Sequence, residues 1–240
     1  MKHLKKFETK ADEKAWRKSD EAVIPNVVYT ESKVGYNKAA IKNGVFIQHK
    51  DSRLFTEEEW LAAGYSGEMA NGVAVIDDTT GFVVSKYDIG KFQWGGHINV
   101  DGIFTTTNSN SVRYDIEGRK NTEAIIAQLK GVTDEFSGIV GAPAAEACAN
   151  YIFPNKQNGY LPAMREVMMM ESNRKAINNL LGIIGGDELG WYDGYSTEFI
   201  IWSSSQESKD YAWAYFVSFS KDARVKAKSD KHIVRPVTEL

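Results

Sequence analysis

A chain of 240 residues has room for one large domain or two small ones. Its 42% hydrophobic and 12% aromatic content excludes global disorder, and a formal charge of -3 gives no overall pull toward nucleic acid or anionic membranes. The single cysteine, Cys148, excludes an intrachain disulfide and a thiolate zinc cluster.

The amino end, Met1-Lys2-His3-Leu4-Lys5-Lys6, lacks the apolar stretch of a signal peptide. No apolar run reaches the roughly 18 residues that a membrane span needs. The expectation is a protein that is cytoplasmic when made and does not insert into membranes, with virion association or cell-surface display reached by another route. Residues 1–38 stand apart as an arm or attachment segment. Phe7 to Lys18 is a charged short helix anchored by Trp16, and Val23 to Tyr29 is a strand interrupted by Pro25. Val34-Gly35-Tyr36 is a second short strand. This piece has too little apolar material to fold alone, so it docks on the main domain or on a partner.

Residues 39–240 form one continuous domain. Gly44 to Gln48 is a strand, and Thr56-Glu57-Glu58-Glu59 is a capping box opening a helix. Gly72 to Ile76 and Phe82 to Ser85 are strands joined in a hairpin by Asp77-Asp78-Thr79-Thr80-Gly81. Asn121 is placed to cap a helix from Thr122 to Leu129. Pro143 opens a helix to about Ile152, and Pro162 opens another from Ala163 to about Glu171. Met168-Met169-Met170 fits adaptable core filling better than a metal site. A helix from Asn173 to Ile184 ends at Gly185-Gly186. Strands return at Phe199 to Trp202 and Ala212 to Ser220. Strands, then helices, then strands make an α+β domain.

Lys221 to Lys231 carries Lys221, Arg224, Lys226, Lys228 and Lys231 against Asp222 and Asp230. A solvated edge-strand face that resists edge pairing is expected there, with an acidic-ligand patch as the alternative.

Tests for catalytic chemistry fail. His3, His49, His97 and His232 are scattered singly, without metal-ligand spacing, and Gly95-Gly96 and Gly185-Gly186 lack the Lys-Ser/Thr of a phosphate loop. Asp77-Asp78, Asp187-Glu188 and Asp193 lack the spacing of a calcium loop. No catalytic residue, metal or cofactor is therefore expected. The stronger signal is Trp191-Tyr192-Asp193-Gly194-Tyr195-Ser196, a polar glycine-containing loop with three aromatics, whose tyrosines suit contact surfaces.

The segments Gly159-Tyr160-Leu161-Pro162-Ala163-Met164-Arg165-Glu166, Trp202-Ser203-Ser204-Ser205, Ala212-Trp213, Phe219 and Val234-Arg235-Pro236-Val237 follow one another in order. Together they resemble the C-type-lectin-like domains of bacterial and phage proteins. The likeness is to gut Bacteroides-type proteins and to the variable proteins of diversity-generating retroelements. Gly72-Val73-Ala74-Val75 and Asp115 to Thr122 are similar to the amino-terminal half of the same group. The resemblance covers about residues 43–240. Ile24-Pro25-Asn26-Val27 and Val34-Gly35-Tyr36 resemble leader segments of structural proteins in gut-bacterial phages. They imply attachment to virion proteins through residues 1–38.

The resemblance implies a C-type-lectin-like fold without disulfides, mainly antiparallel strands with several packed helices. It also implies a non-catalytic recognition role toward a protein or glycan target on a cell surface. The EPN, QPD and WND tripeptides of calcium-dependent sugar-binding lectins are absent. A single helical Cys148 does not supply the cysteine site of the formylglycine-generating branch. With the anchors read as core, the expected ligand-binding residues are Tyr192, Asp193, Tyr195, Gln206, Lys209, Tyr211, Tyr215, Arg224 and Lys226. The rival readings are a glycan-active enzyme with its acids among Asp187, Glu188, Asp193 and Glu198, and a structural virion assembly protein.

Overall fold

In the computed structural model, residues 43–190, 199–217 and 222–240 are described. The expected arm at 1–38, the Trp191–Ser196 loop, Glu198, Phe219 and Lys221 lie outside them.

Among the described residues, ten strands and five α-helices follow in chain order. The first strands are β1 (Gly44–His49) and β2 (Leu54–Phe55), then helix α1 (Glu57–Ala62) and strands β3 (Ala70–Ile76), β4 (Gly81–Val84) and β5 (Lys91–Gln93). A helical middle holds α2 (Gly118–Leu129), α3 (Pro143–Asn150), α4 (Met164–Ser172) and α5 (Arg174–Ile184). The chain returns to strand as β6 (Ile200–Gln206), β7 (Tyr211–Phe216), β8 (Ala223–Ala227), β9 (Lys231–Ile233) and β10 (Val237–Glu239). This is the α+β class that the order of elements implied.

The strands form two five-stranded sheets, ordered β10-β4-β3-β1-β2 and β5-β9-β6-β7-β8. Pairing is antiparallel throughout except between β6 and β9. The carboxyl-terminal strand thus closes the sheet built by the amino-terminal half. A shear of the β6 register between Trp202 and Gln206 lets the serine run turn inward.

Each helix buries an apolar stripe. On α5, Ile177, Leu180, Leu181 and Ile184 recur at helical spacing and are all buried. Together with Met164, Val167 and Met170 of α4, they fill the space between the sheets against Val73 and Phe82 on one side and Ile201 and Trp213 on the other. Gly185 ends α5 at φ 70°, a left-handed conformation that costs glycine nothing. The opposite face of the second sheet carries Ile200, Trp202, Ala212, Ala214 and Phe216. It packs on Ile125 and Leu129 of α2 and Ala144, Ala145 and Cys148 of α3. The second sheet is therefore covered on both faces, which is why β6 is buried along its whole length.

The capping box forms as its spacing dictates: Glu59 N donates to Thr56 Oγ1 at 3.3 Å, and Thr56 N donates to Glu59 Oε2 at 2.9 Å. Thr56→Ala is expected to lower stability by about 1 kcal/mol in urea unfolding, because one first-turn amide loses its acceptor. Asn121 departs from expectation. It lies inside α2, and its amide donates to Asp115 Oδ2 at 2.9 Å and Ser204 Oγ at 3.2 Å, so it joins a buried network and caps nothing.

Candidate functional site

The described carboxyl-terminal anchors are buried in the fold. Ser203, Ser204 and Ser205 are fully buried, and Ser203 Oγ donates to Trp213 O at 2.7 Å. Ser205 Oγ donates to Asp115 Oδ2 at 2.6 Å and accepts from Met164 N at 3.1 Å. Asp115 also takes Glu117 N on its other oxygen at 3.0 Å. Burial pushes the Asp115 carboxyl up, and the bonds from Ser205, Glu117 and Asn121 oppose that shift. The three tryptophan indoles on this side likewise find carbonyls: Trp94 on Ser203, Trp202 on Phe92, Trp213 on Thr106.

Beside this network sits Glu166, at the third position of α4. It accepts from Ala163 N at 2.7 Å and Tyr160 Oη at 2.6 Å. Complete burial raises its carboxyl to about 8, against the lowering effect of those two bonds. A Cβ on Gly118 would collide with Glu166 Oε2, so glycine is required where α2 crosses the head of α4. Both buried acids have their oxygens committed inside the fold. Neither faces a surface from which it could act on a substrate.

Among the expected contact residues, two are corrected. Gln206 is wholly buried. Its amide donates to Asn99 Oδ1, Val100 O and Thr105 Oγ1, and its oxygen accepts from Val100 N at 3.0 Å and Lys228 Nζ at 2.7 Å. This side chain stitches the 99–105 segment to the sheet and has nothing left to display. Tyr215 is also buried, because it shares the face of β7 on which Trp213 meets the inter-sheet core, a core that Val217 joins just beyond the strand. Tyr192, Asp193 and Tyr195 lie outside the described residues.

The remaining four, Lys209, Tyr211, Arg224 and Lys226, gather on one hairpin. Lys209 precedes β7, and Tyr211 is 45% exposed at its start. On β8, Arg224 stands opposite Ala214 and Lys226 opposite Ala212, so the two cations share one face of the sheet. Both lie on the Phe216 ring, with Arg224 Cζ at 4.9 Å and Lys226 Nζ at 4.8 Å from its centroid. Arg224 Nε also pairs with Asp222 Oδ1 at 3.1 Å. Val225, 41% exposed, projects to the other face near Tyr211.

Lys228 breaks the pattern of a solvated basic edge. Its ammonium is buried over Trp94, 4.5 Å from the ring centroid, and donates to Ile98 O and Gln206 Oε1, both at 2.7 Å. Burial pulls its pKa down to about 7, opposed by the charges of Asp210 and Glu207. Sequence reasoning missed it because its partners come from residues 94–98 and 206, far away in the chain. Glu166 left one signal, a glutamate three residues after the helix-opening Ala163.

Of the acids considered for catalysis, Asp187 and Glu188 are exposed after α5, and Asp193 and Glu198 lie outside the described residues. Among the described residues no group of His, Cys, Asp and Glu is arranged to hold a metal ion. No described helix is long and apolar enough to cross a membrane.

No protein-family model matches the chain, and no curated protein does. Among solved structures it is similar to a fimbrial protein from Bacteroides ovatus ATCC 8483. The TM-score is 0.57 at 12% sequence identity, over 83% of this chain and 49% of that one. This chain therefore spans about half the length of the fimbrial protein, and at that identity the likeness concerns the fold.

Proposed function

We propose that this protein is a non-catalytic recognition module in which a C-type-lectin-like scaffold presents a ligand surface to a protein or glycan on a cell surface. One observation carries the reading: polar side chains in the anchors are consumed inside the fold, whereas those of the β7–β8 hairpin are exposed on a rigid frame. Ser203, Ser204, Ser205 and Arg235 are fully buried; Lys209, Tyr211 and Arg224 are exposed. A frame with its own hydrogen bonds satisfied holds contact residues at low entropic cost, which favours binding. The setting proposed is a phage receptor-binding protein or a retroelement-diversified one, attached through residues 1–38.

The test is binding of the full chain to arrayed glycans and to surface proteins of gut bacteria. Replacing Tyr211, Arg224 and Lys226 together by Ser, Gln and Gln is expected to weaken capture about tenfold or more, with an unchanged circular dichroism spectrum. Undiminished capture would reject the hairpin as the contact surface. For diversification, the discriminating observation is a near-copy of the sequence encoding the carboxyl end, beside a reverse transcriptase gene. Without both, diversification falls and recognition stands.

A second reading, a subunit of a surface filament, is favoured by the fold likeness to the fimbrial protein. A stable oligomer in solution that buries the β7–β8 hairpin would support it over a free recognition face.

A further inference from the structure

The hairpin that carries the proposed contacts ends in an open strand edge. Among the described residues, β8 pairs with β7 alone, as the last strand of the second sheet. The hydrogen bonds Phe216 N to Asp222 O and Lys228 N to Asp210 O fix which residues face β7. Bonded pairs recur every second residue in an antiparallel ladder, so Asp222, Arg224, Lys226 and Lys228 point their backbone inward. Ala223, Val225 and Ala227 then turn their N–H and C=O groups outward. Among the described residues, the one backbone bond made on that side is Asp230 N to Ala227 O.

The other sheet edges are shorter or occupied. β2 has two residues, β5 has three, and β10 is bonded in both directions to Tyr160. At five residues, β8 is the longest open edge among the described residues, and it contains no proline, glycine or bulge to blunt it.

Its side chains specify what would fit. One face shows Arg224 and Lys226, whose origins are about 7 Å apart. Both are held on the Phe216 ring, so their stems are ordered before anything binds. Asp222 offsets Arg224, while Lys226 has no acidic partner within ion-pair distance among the described residues. The other face shows Val225 and Tyr211, both apolar and exposed.

We infer that the β8 edge is a docking site for an extended acidic peptide segment of a partner protein. The segment adds as a sixth strand beside β8, with alternate Asp or Glu side chains over Arg224 and Lys226 and apolar ones beside Val225. Outward N–H groups at Val225 and Ala227 and the Val225 carbonyl supply main-chain bonds, Ala223 being buried, and the two cations select acidic sequences. A bound polysaccharide would use the cations but not the ladder of outward amides, so the edge favours peptide. This inference rests on the recognition reading and names a partner class for the same hairpin.

The probe is a short acetylated peptide alternating Glu with Thr and Val, with a Lys-for-Glu version as control. Fluorescence anisotropy of the full chain should show binding of the Glu peptide that weakens with salt, and no binding of the Lys peptide. Amide exchange should slow at Val225 and Ala227. Val225→Pro removes an outward donor without touching the β7 ladder, and is expected to abolish binding while the circular dichroism spectrum is retained. Arg224→Gln with Lys226→Gln is expected to cost about tenfold in affinity and most of the salt dependence. No change in exchange at Val225 and Ala227, or binding unaffected by Val225→Pro, would overturn the inference. Polygalacturonate binding that survives Val225→Pro, with no peptide binding, would overturn it in favour of an acidic glycan. The recognition reading would survive either result, provided the hairpin variants still lose capture on cells.

Discussion

Arg235→Met should destabilise the fold by about 3–5 kcal/mol, a large share of what a domain of this size has to lose. The Arg235 side chain is fully buried in the segment between β9 and β10. Its guanidinium donates to Ser85 O at 3.1 Å, Lys86 O at 3.1 Å and Asp187 O at 2.8 Å, and pairs with Asp88 Oδ1 at 3.0 Å. One planar fork thus joins the end of β4, the turn after α5 and the carboxyl-terminal strand. Methionine replaces the volume but leaves three carbonyls and a carboxylate without their donor. Burial already pushes the Asp88 carboxyl up, and Arg235 holds it down, so Asp88 would take up a proton more readily in the variant. Arg235→Lys keeps the charge and loses the fork, so its stability should fall between the two. Urea midpoints at constant slope measure the series. A loss below about 1 kcal/mol for Arg235→Met would show that the fork is replaceable by packing.

That residue also illustrates what the sequence made legible. Val234-Arg235-Pro236-Val237 marked a fold anchor by its place in an ordered series, and its burial follows from apolar neighbours. That an arginine there would be consumed by Ser85, Lys86 and Asp187 depends on where three distant segments end, which no local pattern encodes. The helices and the β3–β4 hairpin were legible because apolar spacing, a capping box and turn residues act within a few positions. The division of the strands into two sheets was not, since β10 pairs with β4 across most of the chain.

The candidate site divides along the same line. Period-two alternation put Tyr215 on the same face as Trp213, so its burial was implicit in the sequence. Gln206 was misplaced because a polar residue at a strand end has two physical fates. It lies at the surface, or it is buried with every polar atom matched. The matching partners, Val100, Thr105 and Lys228, come together only in the folded chain. Lys228 sits in a run of lysines that alternation alone reads as solvated, and the Trp94 ring beneath it overrides that reading. Arg224 and Lys226, by contrast, fall on an exposed edge as composition suggested.

The same buried groups should give the fold an unusual dependence on pH. In the unfolded chain Glu166 releases its proton near 4.5; in the folded chain burial raises this to about 8. Between those values the folded chain holds one proton more than the unfolded chain, so raising the pH favours unfolding. The stabilisation from Glu166 is complete below about 4.5 and lost as pH rises through about 8. Asp115, also raised by burial, acts in the same sense. Lys228 works oppositely. Its folded pKa of about 7 lies below 10.5, so between these values the unfolded chain binds the extra proton and stability rises with pH. The two slopes meet between about pH 7 and 8, where stability should pass through a minimum. Glu166→Gln keeps an acceptor for Ala163 N and offers an amide to Tyr160 Oη, so it should flatten the fall between about pH 5 and 8, an effect of a few kcal/mol. Lys228→Met should flatten the rise above about pH 8 while leaving the acid limb intact. Urea unfolding across this range decides it: a Glu166→Gln variant that keeps the full neutral-side fall would mean that this carboxylate ionises inside the folded protein at ordinary pH. Its two donors, Tyr160 Oη and Ala163 N, would then hold a charge that burial opposes.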